Sequence, residues 1–264
     1  MLDHDAERSE VETPFADGNV SGVVRVGQTV RRGTGPWTPA VHALLRYLRD
    51  AGFTGCPEVL GMDDRGREML SFVPGETVPA SLEGYADDAT LVAVAELFRA
   101  FHDAVTGFVT PDDAHWRFTV AAPTEGEIVC HNDLGPWNTV FVGGEPVALI
   151  DWDFAAPASR AWDLAYALWR WAPLYAEERF GPPAERAHRI ALFCSADGWD
   201  DPGSLLAVIA ERQRVMRATL VTWGEAGVPG FAEMLQDGHR EIIESDIAYV
   251  DRARGEMERV LRGG

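Results

Sequence analysis

The sequence contains no lysine, and all 23 of its basic residues are arginine. A P-loop needs a lysine that reaches the nucleotide phosphates, and a Schiff-base enzyme needs a lysine amine. Both kinds of site are therefore excluded. The net charge is −19, and residues 76–264 carry most of it, with 31 acids against 15 arginines. Such a field disfavours nucleic acid and anionic membranes and would attract a cationic ligand, unless the acids serve solubility alone.

Cysteines are few, and long apolar runs are missing. Cys56, Cys130 and Cys194 are odd in number and far apart, without metal-site spacing. No apolar run approaches the roughly 20 residues of a membrane span, and the acidic first residues lack the apolar core of a signal peptide. We therefore expect a reduced, cytoplasmic protein. Its 264 residues can bury a sizeable core, as one large domain or as two lobes.

The first 75 residues predict two β-hairpins around one helix. Gly27-Gln28 and Asp63–Gly66 have the composition of hairpin turns, and Thr38-Pro39 is typical of a helix start with Gly52 as its end. Residues 1–17 are polar, and we expect them to be loosely ordered. The pattern predicts a small α+β lobe over residues 1–73. Its strands are expected at Val20–Val26, Thr29–Arg32, Val59–Met62 and Glu68–Val73.

Residues 74–264 predict a larger, mainly helical lobe. Pro74-Gly75 begins a connector, and Asp87–Phe108 has the apolar periodicity of one amphipathic helix. A strand, a loop and a hairpin turning at Gly143-Gly144 follow. The fold class expected is thus α+β with two lobes. Further helices are expected at about 159–175, 184–196, 203–225 and 230–262.

Polar groups recur among apolar residues between Ile128 and Phe154. Buried polar groups must be paired, bound to a ligand or held for chemistry. Their spacing, H-x-D-x-x-x-x-N and then a hairpin whose second strand ends in Asp, is that of a phosphoryl-transfer catalytic loop. The residues concerned are His131, Asp133, Asn138, Asp151 and Asp153.

Each of these residue types suits a step of phosphoryl transfer. Asp133 can accept the proton of a hydroxyl group that attacks a γ-phosphate. Asn138 and Asp151 offer hard oxygen ligands for Mg²⁺, which bridges nucleotide phosphates. His131 belongs to the same catalytic loop, and we expect it to brace the loop rather than react, because neighbouring residues of an extended segment point to opposite sides.

The motifs HNDLGPWN (131–138), LIDWDFA (149–155), WDLAYAL (162–168) and LFRAFHDAV (97–105) resemble those of the aminoglycoside phosphotransferase family. That family includes choline-kinase-like and other small-molecule kinases and has a protein-kinase-like fold. The resemblance extends over nearly the whole chain from Gly18, but it is specific only at these motifs.

The resemblance also implies roles for individual residues. Asp133 would be the catalytic base, and Asn138 and Asp151 the metal ligands. Asp163 would be a structural brace. The hinge Ser71–Val73, which includes Phe72, would contact the adenine of ATP or the guanine of GTP. Asp153 matches an acidic position that some members use near a second metal; a solvated or helix-capping role is the alternative.

The small lobe departs from the family pattern. Protein kinases hold the nucleotide phosphates with a strand lysine paired to a helix glutamate. Here Arg31 or Arg32 must replace the lysine. Only one of them can face the cleft, because strand residues alternate, and alignment with the family favours Arg31. His42 lies near the place of the helix glutamate, unless it simply faces solvent. The glycine-rich loop, DGNVSGVV, retains only Gly18 and Gly22.

Four acids recur near the C-terminus at intervals of four, four and three residues. On one helix they would share a face, which could bind the ammonium groups of a cationic substrate. We place Asp237 and Glu241 at the acceptor site with Asp153 on this basis. A solvated helix face is the alternative. The full set is Glu233, Asp237, Glu241 and Glu244.

The function predicted is transfer of the γ-phosphate of ATP or GTP, with Mg²⁺, to a hydroxyl group of a small molecule. Two alternatives stay open. A pseudokinase would bind nucleotide or another ligand without transfer. A metal-dependent hydrolase would use His131, Asp133, Asp151 and Asp153 as ligands. The acceptor, whether an aminoglycoside, another antibiotic, an amino alcohol or a sugar, is not identified by the sequence.

Overall fold

A computed structural model describes residues 11–15, 22–78, 87–117 and 127–263. Its N-terminal part is a five-stranded antiparallel sheet in the order β1-β2-β3-β5-β4, with helix α1 (Thr38–Asp50) inserted between β3 and β4. Gly27-Gln28 forms the turn between β2 and β3, as predicted. The strands are β1 (Glu12–Pro14), β2 (Val24–Val26), β3 (Thr29–Arg32), β4 (Val59–Met62) and β5 (Glu68–Ser71).

The register of this sheet decides which side chains face α1. Val30 of β3 pairs with Leu70 of β5, and Arg32 pairs with Glu68. Because strand residues alternate between faces, these four side chains share one face of the sheet. Leu70 and Glu68 are buried there, and the buried side of α1 covers that face. Arg31 therefore lies on the opposite face.

The C-terminal part is mainly helical. Helix α2 is capped by Asp87, whose side chain accepts a hydrogen bond from Thr90 N. Strands β7 and β10 form a two-stranded antiparallel pair, and β6, β8 and β9 form a three-stranded sheet. The bounds are β6 (Glu76–Thr77), α2 (Asp88–Val105), β7 (Glu127–Cys130), β8 (Thr139–Val142), β9 (Glu145–Leu149), β10 (Ala156–Ser159), α3 (Arg160–Trp171), α4 (Pro183–Asp197), α5 (Pro202–Glu225), α6 (Phe231–Gln236) and α7 (His239–Leu261).

One hydrophobic core runs through both parts of the molecule. It joins the buried side of α1, around Leu45, to α2 at Phe98 and Phe101 and to α3 at Trp169 and Trp171. The apolar period predicted for α2 is therefore the side that packs inward. No helix in the ranges that the structure describes is both long and apolar enough to cross a bilayer.

The expected α+β architecture with a small sheet-bearing part and a larger helical part is confirmed. The boundary at residue 73 stays a prediction. Within the N-terminal residues expected to be loosely ordered, Glu12–Pro14 forms β1 and pairs with β2.

The single helix expected at 230–262 is wrong. Gly238, with a φ of 82°, interrupts it between α6 and α7. That backbone conformation is readily available to glycine and ends the hydrogen-bond ladder of the preceding helix.

Candidate active site

The loop after β7 is held by a buried carboxylate from α3. Asp163 accepts hydrogen bonds from the backbone N–H of His131 at 3.0 Å and of Asn132 at 2.8 Å, and lies 3.0 Å from His102 Nε2. Burial raises the pKa of Asp163, but the hydrogen bond and charge of His102 outweigh it and lower that pKa. Asn132 has a φ of 64°, a left-handed conformation that asparagine tolerates better than most residues. Asp163 therefore stabilises a strained loop.

His131 joins this loop to the end of the following hairpin. Its Nε2 lies 3.0 Å from Ile150 O, and its Nδ1 accepts a hydrogen bond from Asp133 N at 3.3 Å. The ring packs against Trp152 with 4.5 Å between centroids. Burial lowers the pKa of His131, so the ring is neutral at pH 7. Because both ring nitrogens contact the backbone, His131 has no nitrogen available for a metal, which removes a ligand that the hydrolase alternative requires.

Asp133 lies in the same loop and is partly buried. Asn138 Nδ2 donates to Asp133 Oδ2 at 2.8 Å and to its backbone oxygen at 3.0 Å. Burial raises the pKa of Asp133 to about 6, although the neighbouring Tyr166 hydroxyl and the charge of Arg170 oppose the rise. A carboxylate in such surroundings is a better proton acceptor than one in water, as general-base chemistry requires.

Asn138 and Asp151 are brought together by the hairpin. Ile150 N donates to Asn138 O at 2.9 Å, which places Asp151 beside the 3-10 turn Pro136–Asn138. Asp151 has left-handed backbone angles, φ 60° and ψ 67°, and its side chain is 37% exposed. Since the Asn138 nitrogen donates to Asp133, its Oδ1 remains as a neutral oxygen ligand. The two side chains together offer one neutral and one anionic oxygen donor.

This donor set fits Mg²⁺ delivered with a nucleotide. The described part of the chain contains no group of three His, Cys, Asp or Glu residues able to hold a metal ion. Magnesium keeps several waters and is commonly bound by one or two carboxylates together with substrate phosphates. Asn138 and Asp151 would therefore suffice to hold Mg²⁺ only when nucleotide phosphates and water complete its coordination shell.

Arg32 reaches from the small sheet to these carboxylates. Its Nε donates to Glu68 Oε1 at 2.5 Å, one terminal nitrogen to Asp151 Oδ1 at 2.9 Å, and the other to Asp153 Oδ1 at 2.6 Å. The expectation that Arg31 faces the cleft is therefore corrected. Arg31 pairs with Met69 on the other face of the sheet, where its charge adds to the hydrogen bond and charge of Arg67 that lower the pKa of Glu12.

Glu68 and His42 lie behind Arg32. Glu68 is 2% exposed, and its Oε2 lies 2.7 Å from His42 Nε2. His42 is itself buried, so its expected alternative position on the solvent side of α1 is wrong. The acid that pairs with the strand cation is thus supplied by strand β5, and α1 supplies a histidine.

Asp153 is paired with two arginines. Besides Arg32, Arg117 donates to Asp153 Oδ2 at 3.1 Å, and its guanidinium packs over Trp37 at 4.8 Å and Phe154 at 5.3 Å. Burial raises the pKa of Asp153, and the charge of Arg32 opposes this. A purely solvated or capping role does not describe this residue, and its contact with substrate stays a prediction.

The predicted hinge lies where β5 ends. Ser71 Oγ accepts from Glu58 N at 2.8 Å, and Phe72 N donates to Gln28 O at 2.8 Å. The Arg25 guanidinium lies 3.7 Å from the centroid of the Phe72 ring. Ser71–Val73 thus leads from the small sheet to β6, and its contact with a nucleotide base stays a prediction. Of the glycine-rich loop, Gly18 lies outside the described residues.

The four C-terminal acids do not form the row that one continuous helix would give. Glu233 accepts a hydrogen bond from Gly230 N at the start of α6, and Asp237 caps the end of that helix. On α7, Glu241 pairs with Arg240, and Glu244 pairs with Arg217. The break at Gly238 divides the set between two helices. Recognition of a substrate by Asp237 and Glu241 stays a prediction.

Sequence reasoning missed Tyr166 and Arg170 of α3. Burial raises the pKa of Asp133, whereas the neighbouring buried Tyr166 hydroxyl and then the charge of Arg170 lower it. The Arg170 guanidinium lies 3.5 Å from the centroid of the Trp169 ring. The signal was available, because Tyr166 follows Asp163 by three residues and so lies on the same side of a helix.

We expect Tyr166→Phe to lower turnover about tenfold while donor affinity stays near wild type, because the Asp133 carboxylate loses the neighbouring hydroxyl group. Steady-state kinetics with donor and acceptor varied separately measure this. Tyr249→Phe is the matched control, since the buried Tyr249 hydroxyl has no hydrogen-bond partner within the described residues. Equal turnover in both variants would contradict a role for Tyr166 at Asp133.

Known proteins match this chain at the level of sequence. The model of the phosphotransferase enzyme family (APH) matches residues 112–201. The trifolitoxin immunity protein of Rhizobium leguminosarum bv. trifolii is 37% identical over 199 residues, which cover 71% of this chain and 74% of that protein. The matched family segment contains the loop after β7 and α3.

Solved structures match its fold. A choline/ethanolamine kinase family protein from Mesorhizobium loti is 16% identical, with 98% of this chain and 95% of that chain covered and a TM-score of 0.62. The amicoumacin kinase hAmiN, bound to AMP-PNP and Ca²⁺, is 13% identical over 94% and 88%, with a TM-score of 0.60. The GDP complex of aminoglycoside 2′-phosphotransferase-IIIa is 14% identical over 95% and 94%, with a TM-score of 0.55. The bilobal protein-kinase-like fold is confirmed.

Proposed function

The chain belongs to the phosphotransferase enzyme family, and we propose that it transfers the γ-phosphate of ATP or GTP to a hydroxyl group of a small molecule. The observation that carries this proposal is the contact of Asn138 with Asp133 at 2.8 Å beside β9, with Asp151 two residues after the end of that strand. A proton acceptor and two oxygen ligands would then lie close together, as phosphoryl transfer requires.

Asp133 would accept the proton of the acceptor hydroxyl as its oxygen attacks the γ-phosphorus and the bond to the β-phosphate oxygen breaks. Asn138 and Asp151 would hold Mg²⁺, which neutralises charge on the phosphates when bound. Asp163 and His131 would keep the loop in place while the proton moves. Ser71–Val73 would contact the nucleotide base.

Arg32 would hold the donor phosphates. Its terminal nitrogens point at the carboxylates that flank the metal site, where phosphate oxygens would lie. A guanidinium binds phosphate through two N–H groups at once, so arginine can replace lysine at this position.

Replacing Arg32 with Gln is expected to weaken donor binding about tenfold or more, because charge-assisted hydrogen bonds to phosphate are lost. Arg31→Gln is the matched variant on the opposite face of β3, and its donor affinity should stay within about twofold of wild type. Calorimetric titration with Mg·ATP and Mg·GTP measures both. A larger loss in Arg31→Gln would restore the assignment made from alignment.

The acceptor that we propose is an antibiotic. The 37% identical relative is named for immunity to trifolitoxin, and phosphorylation of a hydroxyl group is one chemical route to inactivating a toxic compound. The net charge of residues 76–264 supports a cationic compound, because it would attract ammonium groups.

A phosphate-transfer screen tests the proposed function. ATP and GTP would be offered with cationic and neutral hydroxylated compounds, at low and at physiological salt. Transfer to an acceptor supports the proposal, and a cationic acceptor should bind less tightly as salt rises. Nucleotide binding without transfer to any compound would favour the pseudokinase alternative, which the absence of a helix glutamate supports. Phosphate release that needs no nucleotide would favour the hydrolase.

A further inference from the structure

A buried glutamate lies in the small sheet where apolar residues would be expected. Glu68 is 2% exposed, and its neighbour on the same face of β5, Leu70, belongs to the hydrophobic core. A buried carboxylate is costly unless it is paired and hydrogen-bonded. Glu68 meets that requirement with Arg32 on one oxygen and His42 on the other. Both partners come from different elements, so the carboxylate joins β3, β5 and α1.

Glu68 uses only one edge of the Arg32 guanidinium. The bond to Glu68 engages Nε, and both terminal nitrogens remain directed at Asp151 and Asp153 of the helical part. The guanidinium group of arginine carries three nitrogens in one rigid plane. When Nε is held by Glu68, the directions of the two terminal nitrogens are therefore fixed. A lysine has a single nitrogen and could not divide its contacts in this way. The contact with Glu68 therefore sets the direction of the terminal nitrogens of Arg32, which would face the donor.

The contact between Arg32 and Glu68 lies within the sheet. Arg32 and Glu68 are directly opposite each other on neighbouring antiparallel strands. Cross-strand partners of this kind lie about 5 Å apart at their backbones and stay so while the sheet is intact. A glutamate on α1 would instead lose its partner whenever the helix moved. His42, which comes from α1, contacts Glu68 and not Arg32.

We propose that Glu68 and His42 are positioning residues for the donor: Glu68 holds Arg32 Nε from the neighbouring strand, and His42 holds Glu68. The terminal nitrogens of Arg32 pass from Asp151 and Asp153 to the donor phosphates when the nucleotide binds, while the Nε contact persists. This inference rests on the proposed function, since it concerns how the same site holds its donor. Protein kinases use a strand lysine paired with a helix glutamate. In this chain the corresponding arrangement consists of three residues, Arg32, Glu68 and His42.

The test compares donor and acceptor parameters in isosteric variants. Glu68→Gln should raise the donor KM, and the Kd for the magnesium complex of a non-hydrolysable ATP or GTP analogue, about tenfold or more. The acceptor KM should stay within about twofold, because Glu68 is buried and pairs only with Arg32 and His42 among the described residues. His42→Ala should raise the donor Kd several-fold, whereas His42→Gln, which still donates to Glu68, should bind the donor like wild type.

A double variant separates positioning from general destabilisation. If Glu68 acts through Arg32, then Arg32→Gln with Glu68→Gln should bind the donor no more weakly than Arg32→Gln alone. The matched control is Glu58→Gln, directly before β4, because Glu58 pairs with Arg49 on the surface. It should leave donor binding unchanged. Thermal unfolding of each variant confirms that it is folded.

Each outcome decides the inference. A wild-type donor KM in Glu68→Gln, or a loss in the double variant equal to both single losses combined, would overturn it. If Glu68→Gln does not fold, the contrast between His42→Ala and His42→Gln decides in its place, and equal donor affinities would overturn the inference. Failure of the proposed function looks different, because wild-type protein would then bind no nucleotide and phosphorylate no acceptor.

Discussion

Asp133→Asn is expected to lower turnover by a factor of about 10² or more, as the loss of a positioned general base implies. The substitution keeps the size of the side chain and an oxygen that can still accept from Asn138 Nδ2. The donor Kd should therefore stay near that of wild type. Single-turnover measurement of phosphate transfer separates the chemical step from product release.

The control for Asp133→Asn is Asp112→Asn, an exposed aspartate inside the segment that matches the family. Its turnover should equal that of wild type. Calorimetry with Mg·ATP or Mg·GTP and thermal unfolding show whether the Asp133 variant is folded and binds its donor. Turnover within a few-fold of wild type in a folded Asp133 variant would remove this residue from the reaction.

Asp163→Asn is expected to lower the free energy of unfolding by about 3–5 kcal/mol, the range for breaking a buried charge pair. The wild-type carboxylate accepts three hydrogen bonds, from His102 and from the backbone of His131 and Asn132. In the variant, one carboxylate oxygen that accepts a hydrogen bond becomes an NH₂ group. This group would then face an N–H donor, and the hydrogen bond would be lost. Urea unfolding measures the change, and Asp251→Asn, which breaks an exposed pair with Arg214, should cost less than about 1 kcal/mol.

The pH dependence of that stability provides a second readout. The pKa of Asp163 is lowered in the folded protein, so its contribution is fully present above the unfolded-state pKa of about 3.9 and is lost as pH falls through the folded-state pKa. The difference between wild type and Asp163→Asn should thus be constant near neutral pH and shrink in acid below about pH 4. A difference that is the same at all pH values would mean that the carboxylate charge does not stabilise the loop.

Local patterns in the sequence predicted the elements and the reaction type. The apolar residues of α2 recur at the period of a helix, and residues such as Phe98 lie on its buried side. Because that period is set by residues close together in the sequence, the sequence alone reveals it. The order and spacing of Asp133, Asn138 and Asp151 was enough to indicate phosphoryl transfer, because a strand, a loop and a hairpin can place these residues together without help from distant parts of the chain.

Tertiary contacts decided which residues surround Arg32. Arg32 is 36 positions from Glu68 and 119 from Asp151, and no periodicity connects residues so far apart. The face of β3 that meets the cleft depends on its register with β5, and a shift of one residue would exchange Arg31 and Arg32. Composition predicted that an arginine replaces the absent lysine, whereas the packing of α1 over the sheet gave Arg32 the neighbours Glu68 and His42. Strand register and long-range pairing are properties of the folded chain, so they became visible only in three dimensions.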